Sequence, residues 1–310
     1  MTAGLYGCAE SGSDPAPTRP PATPGQARSP FTGLPARTDA PVLAVKIDNV
    51  VPARPHTGLG AADLVYVEQV EGGQTRLLAV YSSRIPDRVG PVRSARESDI
   101  ELLRQFGNPA LAYSGSHSGL KPLLAGAPLD LLTPASVPGA YTRGDDRPAP
   151  HNLYLLPDRA LDAVPEAQHP EDIGFRFGPA PAGGEPVNKL TERFPAARYT
   201  FTWSAADRGW RVAMDGTPAR TTDGGPLTAT NVVVQQVTVR PSRFEDFLGS
   251  VSPYTETVGS GPARVLRDGR AHDARWSRPD AASGTTLTTP DGAPLNLAPG
   301  RTWIVLVPRG

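Results

Sequence analysis

The chain has 310 residues, enough for two domains of ordinary size at roughly 100–200 residues each. Its 31 Lys+Arg balance 31 Asp+Glu, so there is no long-range pull toward nucleic acid or anionic lipid, and its single Cys excludes an intrachain disulfide or a Cys-based zinc cluster. Apolar residues make up 38% while Gly and Pro number 32 and 36, which excludes a helical bundle and favours many short strands; no run of about 18 apolar residues is present to span a membrane.

The N-terminus opens with Leu5-Tyr6-Gly7-Cys8. This tetrapeptide is similar to a bacterial lipobox, in which a small residue precedes a Cys that is cleaved and diacylated. Cys8 is therefore the expected lipid anchor. Only seven residues precede it, so either the positive and apolar parts of a signal sequence lie upstream of Met1 or the match is chance and Cys8 is a free thiol in a tail. Residues 9–30 are Ser, Pro, Gly, Ala, Thr and Arg with almost no large apolar side chain, a composition that predicts a disordered tether. Residues 1–30 thus read as signal remnant and tether.

From Phe31 to about residue 180 strands and helices mix. Val42–Ile47, Leu64–Val70 and Arg76–Tyr81 are short apolar runs bounded by Pro, Asp and Gly, and read as strands. Gly72-Gly73 between the last two predicts a hairpin with a two-residue loop. Ser94-Ala95-Arg96-Glu97 reads as a capping box opening a helix through Phe106, stopped by Gly107. Ala110–Tyr113 is a fourth strand, followed by Gly115-Ser116-His117-Ser118-Gly119 and a short helix to Leu124. A Gly/Pro-rich stretch over 178–187 marks a boundary. Beyond it, 187–310 reads as mainly β: 198–203, 210–214, 231–239, 263–266 and 302–307, punctuated by Asp-Gly turns at 215–216, 223–224, 268–269 and 291–292. One short helix is expected after a second capping box, Ser242–Glu245. The fold class is α/β in the α+β sense: a layered mixed-sheet N-terminal region followed by a mainly β C-terminal region.

Several motifs occur in a recognisable order: Phe31-Thr32-Gly33-Leu34, Lys46-Ile47-Asp48-Asn49, Arg54-Pro55, Ala62–Tyr66, Glu71–Arg76, Gly90–Arg96, Pro150–Tyr154 and Pro299–Ile304. The series resembles the YerB-like lipoproteins of Gram-positive bacteria, a family of uncharacterised function, over about residues 31–308. The resemblance implies an α/β first region in layered sheets, an extracytoplasmic location and a lipid anchor at the outer face of the cytoplasmic membrane. It implies no reaction.

Chemistry has to come from the residues. A two-residue hairpin loop would set Gln69 opposite Arg76, with Glu71 diagonal to Arg76 and within ion-pair reach. Glu68 then falls on the other face with Leu64 and Tyr66, as a half-buried carboxylate. It is either a structural partner of an arginine or a general acid with a raised pKa. Arg93 and Arg96 flank a helix start, where cations are disfavoured and anions bind well. They either hold an anionic ligand or are neutralised by Glu71, Glu97, Asp99 or Glu101. His117 sits where a nucleophile elbow would place Ser, which makes a serine hydrolase a poor fit. It is a possible proton donor or an ordinary turn histidine. The five histidines, His56, His117, His151, His169 and His272, show no metal-ligand spacing, and there is no Walker loop or Gly-x-Gly-x-x-Gly. No metal and no cofactor are expected. Trp203, Trp210, Trp276 and Trp303 read as core and sheet-face residues in preference to a sugar-stacking platform.

Two functional classes stay open. One is a binding module for a cell-wall polymer, an anionic envelope ligand or an envelope protein, using Asn49, Glu71, Arg76, Arg93, Arg96, His151 and Asn152. The other is an envelope hydrolase or lyase acting on glycan or peptide, with Glu68, Glu71 or His117 as acid/base. The incomplete catalytic set favours binding. Nucleic acid is not an expected partner; the membrane is, through the anchor.

Overall fold

The computed structural model describes Met1 and residues 27–36, 40–246 and 249–309. Cys8 and most of the expected tether lie outside the described residues. The last tether residues do not: Ser29 is buried and Arg28 bridges to Pro35, so the packed body begins a few residues before Phe31.

The first region supplies β1 (Leu43–Ile47), β2 (Leu64–Gln69), β3 (Thr75–Tyr81), β4 (Ala110–Ala112) and β5 (Asp130–Leu132), with helices α1 (Glu97–Leu103), α2 (Lys121–Ala125) and α3 (Pro157–Leu161). A small hairpin, β6 (Tyr141–Arg143) with β7 (Leu153–Leu155), lies beside them. After β8 (Glu185–Pro186) come β9 (Lys189–Phe194), β10 (Ala197–Ser204), β11 (Gly209–Met214), β12 (Thr217–Pro218) and β13 (Thr228–Ala229). The chain then forms β14 (Asn231–Val237), β15 (Val239–Glu245), β16 (Val251–Thr255), β17 (Gly259–Arg267), β18 (Arg270–Arg278), β19 (Thr286–Thr288) and β20 (Thr302–Pro308).

One mixed sheet of eleven strands crosses both regions in the order β19-β18-β17-β14-β20-β2-β3-β1-β4-β5, with β8 beside β18. Its middle is the parallel pair of β2 and β20, Leu64 to Val67 opposite Thr302 to Val305. The pairings give β1, β2, β4, β5, β14 and β20 a common direction, and their carboxyl ends share one edge. One face of this sheet packs on the antiparallel sheet β9–β13 through Val65, Val67, Leu77, Tyr199, Phe201, Trp210 and Trp303. The other packs under α1 and α2 through Leu64, Tyr66, Leu78, Leu102, Leu103 and Phe106. The layered arrangement and the mainly β second region agree with the sequence reading, and three of the four tryptophans are buried sheet-face residues.

Three local expectations are corrected. The β2–β3 loop is a three-residue 3₁₀ turn, Glu71–Gly73, because Gly72 and Gly73 both take positive φ (64° and 70°). The register therefore slips by one, setting Glu68 opposite Arg76 and Gln69 opposite Thr75. Glu68 and Arg76 now share the α1-facing side, and Glu71 is released from the ladder. The first helix starts at Glu97, capped not by Ser94 but by Asp99, whose carboxylate accepts the Arg96 N–H at 2.6 Å. Residues 242–245 are strand, not helix, because cross-strand pairing of β15 with β16 outweighs a four-residue cap signal. The Ser242 hydroxyl serves Glu97 instead of a helix of its own.

Candidate functional site

The shared carboxyl edge collects what the sequence singled out. In open α/β sheets ligands bind outside the carboxyl ends of the strands. Asp48 and Asn49 leave β1, Glu71 leaves β2, Ser114–His117 leave β4, and Arg76 enters at the start of β3. An extended segment, Arg93–Arg96, lies across this edge. Its backbone is pinned by Arg93 N–H to the Lys46 carbonyl (2.8 Å) and Ser114 N–H to the Arg93 carbonyl (3.0 Å). The segment is a ledge with a depression on each side.

On the Arg96 side, the Arg96 guanidinium grips Glu71 with two bonds of 2.6 Å and gives a third to the Ala95 carbonyl (3.0 Å). Glu71 also accepts the Ser252 hydroxyl. Burial pushes the Glu71 carboxyl up, but Arg96 and Ser252 hold it down at about 2. The expected Glu71–Arg76 pair is thus replaced by Glu71–Arg96. This contact stitches the β2–β3 turn to the start of α1 and pairs the Arg96 charge with that of Glu71.

Arg76 is buried beneath the ledge and donates to the Ser94 carbonyl at 3.0 Å. Burial, then the Arg96 and Arg93 charges, lower its pKa to about 9 against the pull of Glu71 and Asp48. Beneath it Lys46, fully buried, donates to Glu68 and to Asp99 (2.6 Å). Glu68 and Glu71, the two acid/base candidates, are therefore a buried partner of Lys46 and an ionised partner of Arg96. Asn49 is likewise turned inward. Its amide donates to Tyr199 and Thr75 (3.2 Å) and accepts from Arg54.

The Arg93 side is different. A depression of about 400 Å³ is lined by Arg93, Ser114, Tyr141, Thr142 and Arg143, with Pro and Leu between them and no carboxylate. Arg93 has Asp48 at 3.4 Å, but His151 Nδ1 holds the same carboxylate more closely, at 2.8 Å. Among the described residues Arg143 has no ion-pair partner. The buried Asn152 aims it, accepting from its guanidinium at 2.8 Å and donating to the Gly144 carbonyl at 2.7 Å. Asn152 thus lies beside Arg143, and His151 shares the Asp48 carboxylate with Arg93. Thr142 and Arg143 continue into a second depression with Arg88, whose guanidinium stacks 3.8 Å above the Tyr154 ring.

The sequence reading missed Arg143 and Arg88. The signal was the Tyr141-Thr142-Arg143 run before a Pro-rich loop and Leu153-Tyr154-Leu155. Pairing these as a hairpin sets Arg143 beside Asn152. His117 is exposed, its Nδ1 accepting the Gly119 N–H at 3.1 Å, and its ring lies beside Phe244. Among the described residues no cluster of three or more His, Cys, Asp or Glu could hold a metal ion.

Comparison with known proteins gives the following. Residues 31–170 match the family described as "Protein of unknown function (DUF3048) N-terminal domain", and residues 190–304 match its C-terminal domain. A Bacillus subtilis protein named "Putative lipoprotein YerB" is 28% identical over 304 residues, covering 93% of this chain and 88% of its own. The crystal structure of the YerB protein from Bacillus subtilis superposes with a TM-score of 0.77 at 23% identity, over 92% of this chain and 97% of that one.

Proposed function

This chain belongs to the DUF3048 family of two-part proteins of unknown function, and from that premise we propose that it is a lipid-anchored envelope protein that binds a carboxylate- or phosphate-bearing ligand at Arg93 and Arg143. The observation that carries the binding half is the carboxylate-free depression, with one arginine half-neutralised and the other unpaired among the described residues. Two guanidiniums so placed gain charge-assisted, bidentate bonds only when an anion arrives. The anchored half is supported by Leu5-Tyr6-Gly7-Cys8 and by the relative's name. Anionic polymers of a cell envelope, with peptide carboxylates or bridging phosphates, have the matching chemistry.

The enzymatic alternative has less behind it. Its carboxylates are committed to Lys46 and Arg96, and His117 has no orienting acid within hydrogen-bond reach among the described residues. One preparation tests both halves of the proposal. Cells expressing the protein behind a complete signal sequence are fractionated, and the detergent-phase protein is titrated with a soluble peptidoglycan stem peptide and with glycerol phosphate oligomers. Wild type enters the detergent phase and binds one of them. Cys8→Ala stays aqueous but still binds, and Arg93→Gln/Arg143→Gln enters the detergent phase without binding, losing about tenfold or more per charge-assisted pair. Retained affinity in a folded double variant overturns the site, and equal partitioning of Cys8→Ala overturns the anchor.

A further inference from the structure

We infer a second binding site, for a neutral pyranose sugar, in the depression on the other side of the ledge. It holds about 290 Å³ and is walled by the ledge residues Ser94–Glu97, by Ser116 and His117, and by Ser242 to Asp246 and Ser252 of the β15–β16 arm. Small-molecule pockets run from about 300 Å³ upward, so the space suits a single ring.

The character of the wall selects the ligand. Phe244 is half-buried, and its ring centroid lies 5.3 Å from that of His117 at 39°. The ring is fixed against the loop after β4, since a Cβ on Gly119 would come within 3.0 Å of it. The rest of the lining is mostly polar and carries the carboxylates of Glu97, Glu245 and Asp246 with serine hydroxyls, of which Ser242 and Ser252 donate to Glu97 and Glu71. Ser116 Oγ is buried and has no hydrogen-bond partner among the described residues, and a buried polar atom without a partner is a place where a ligand group gains most. Among the described residues the one arginine of the lining, Arg96, has its charge paired with Glu71 and does not offset the three carboxylates. An anion is therefore repelled here. The ligand has to bring several donors, no negative charge, and one apolar face for the aromatic wall. A pyranose brings all three, with axial C–H groups on one face and hydroxyls at the rim.

This site does not depend on the anion reading of Arg93 and Arg143, although the two share the ledge. The test uses the full chain and N-acetylglucosamine at millimolar concentration, read by saturation transfer to the sugar protons and by shifts of the His117 ring signals. Saturation concentrated on the axial C–H face is expected. Phe244→Ala should weaken binding about tenfold, the worth of one aromatic contact, Ser116→Ala should weaken it less, and Arg143→Gln should leave it unchanged. If Phe244→Ala does not fold, His117→Ala takes its place, with the thermal midpoint as control. Absence of saturation in wild type overturns the inference, as does equal binding by a folded Phe244→Ala. Displacement of the sugar by propylamine, which would make the acids a cation site, overturns it too.

Discussion

Lys46 brings one positive charge into a space that holds two carboxylates, and none of the three reaches water. Burial pulls the Lys46 ammonium down, but Asp99 and Glu68 together raise it above its usual value. Burial and then the Asp99 charge push Glu68 up to about 7, against Lys46. Between its ordinary 4.5 and about 7 the folded chain keeps a proton on Glu68 that the unfolded chain has released. The stability Glu68 contributes is thus complete at low pH and is lost as pH rises through about 7. His56 works in the other direction. Its ring is buried and bonded to the Asp48 carbonyl at 2.8 Å, and burial lowers its pKa from 6.5 to about 4. Its contribution is present above 6.5 and lost as pH falls through about 4. The two slopes oppose each other, so thermal midpoints of the wild type should change little over their common window. Glu68→Gln should unmask the His56 slope, with a midpoint that climbs as pH rises from 4.5 to 6.5. Equal profiles for the two proteins would mean that Glu68 holds no extra proton in the folded chain. Lys46→Met, which strands both acids, should cost about 3–5 kcal/mol in a urea titration. Part of this cluster was legible: alternation placed Glu68 on the inner face. Lys46 and Asp99 were not, because spacing along a chain does not say which strand or helix lies across the sheet.

Strands defined by apolar runs between Pro, Asp and Gly were readable because burial on both faces leaves no alternation to misjudge; β1 to β4, β14 and β20 all sit close to their expected bounds. The short strands β5 to β7 were missed: three residues carry no period, and unlike β4 none of them was set apart as an apolar run at the end of a helix. The β2–β3 turn was misjudged by one residue. That error mattered, because it moved Arg76 to the face of Glu68 and freed Glu71 to meet Arg96. Both turn glycines have left-handed φ, but their surroundings differ. A Cβ on Gly72 would meet nothing within 4 Å, whereas on Gly73 it would fall 2.5 Å from Pro195 Cβ and 3.2 Å from the Ala196 nitrogen. The β9–β10 turn is pressed against this spot, with Ala196 N–H bonded to the Gly73 carbonyl at 2.9 Å. Gly72→Ala should therefore lower stability by about 1 kcal/mol, the left-handed penalty alone. Gly73→Ala should cost at least twice as much, since a proline ring cannot swing aside. Urea midpoints decide the point: equal losses would mean that the turn does not bear on β9 and β10.

The Gly/Pro-rich stretch over 178–187 and the two family matches divide the sequence near one place, yet the main sheet runs through it. β2 has β3 on one side and β20 on the other, and β20 continues into β14, β17 and β18. The helical layer is shared too. Arg278, fully buried on β18, donates to the Glu101 carbonyl at 2.7 Å, an acceptor that the end of α1 leaves open, and to the Thr257 hydroxyl at 2.9 Å. Glu101 in turn accepts the backbone N–H groups of Thr257 and Val258. On the opposite face Tyr199 of β10 reaches Thr75 of β3 at 2.7 Å. Separable domains meet through small, rather polar interfaces, whereas here hydrogen-bonded strands and both apolar layers cross the boundary. Nothing in a single sequence announces such a junction, because a strand's partner does not mark its own residues. The consequence is testable by cutting the chain. A protease site inserted between the exposed Ala182 and Gly183, where a Cβ on the glycine would meet nothing within 4 Å, should be cleavable without loss of structure. The two pieces should elute together and unfold in one transition, with a midpoint below that of the intact chain because cutting raises the entropy of the unfolded state. Residues 27–182 expressed alone should leave β2 without β20, exposing Val65 and Val67, and should aggregate as unpaired edges do. Two separate transitions, or a first piece that stays monomeric and well ordered, would mean that the β2–β20 pairing is a contact between independent domains.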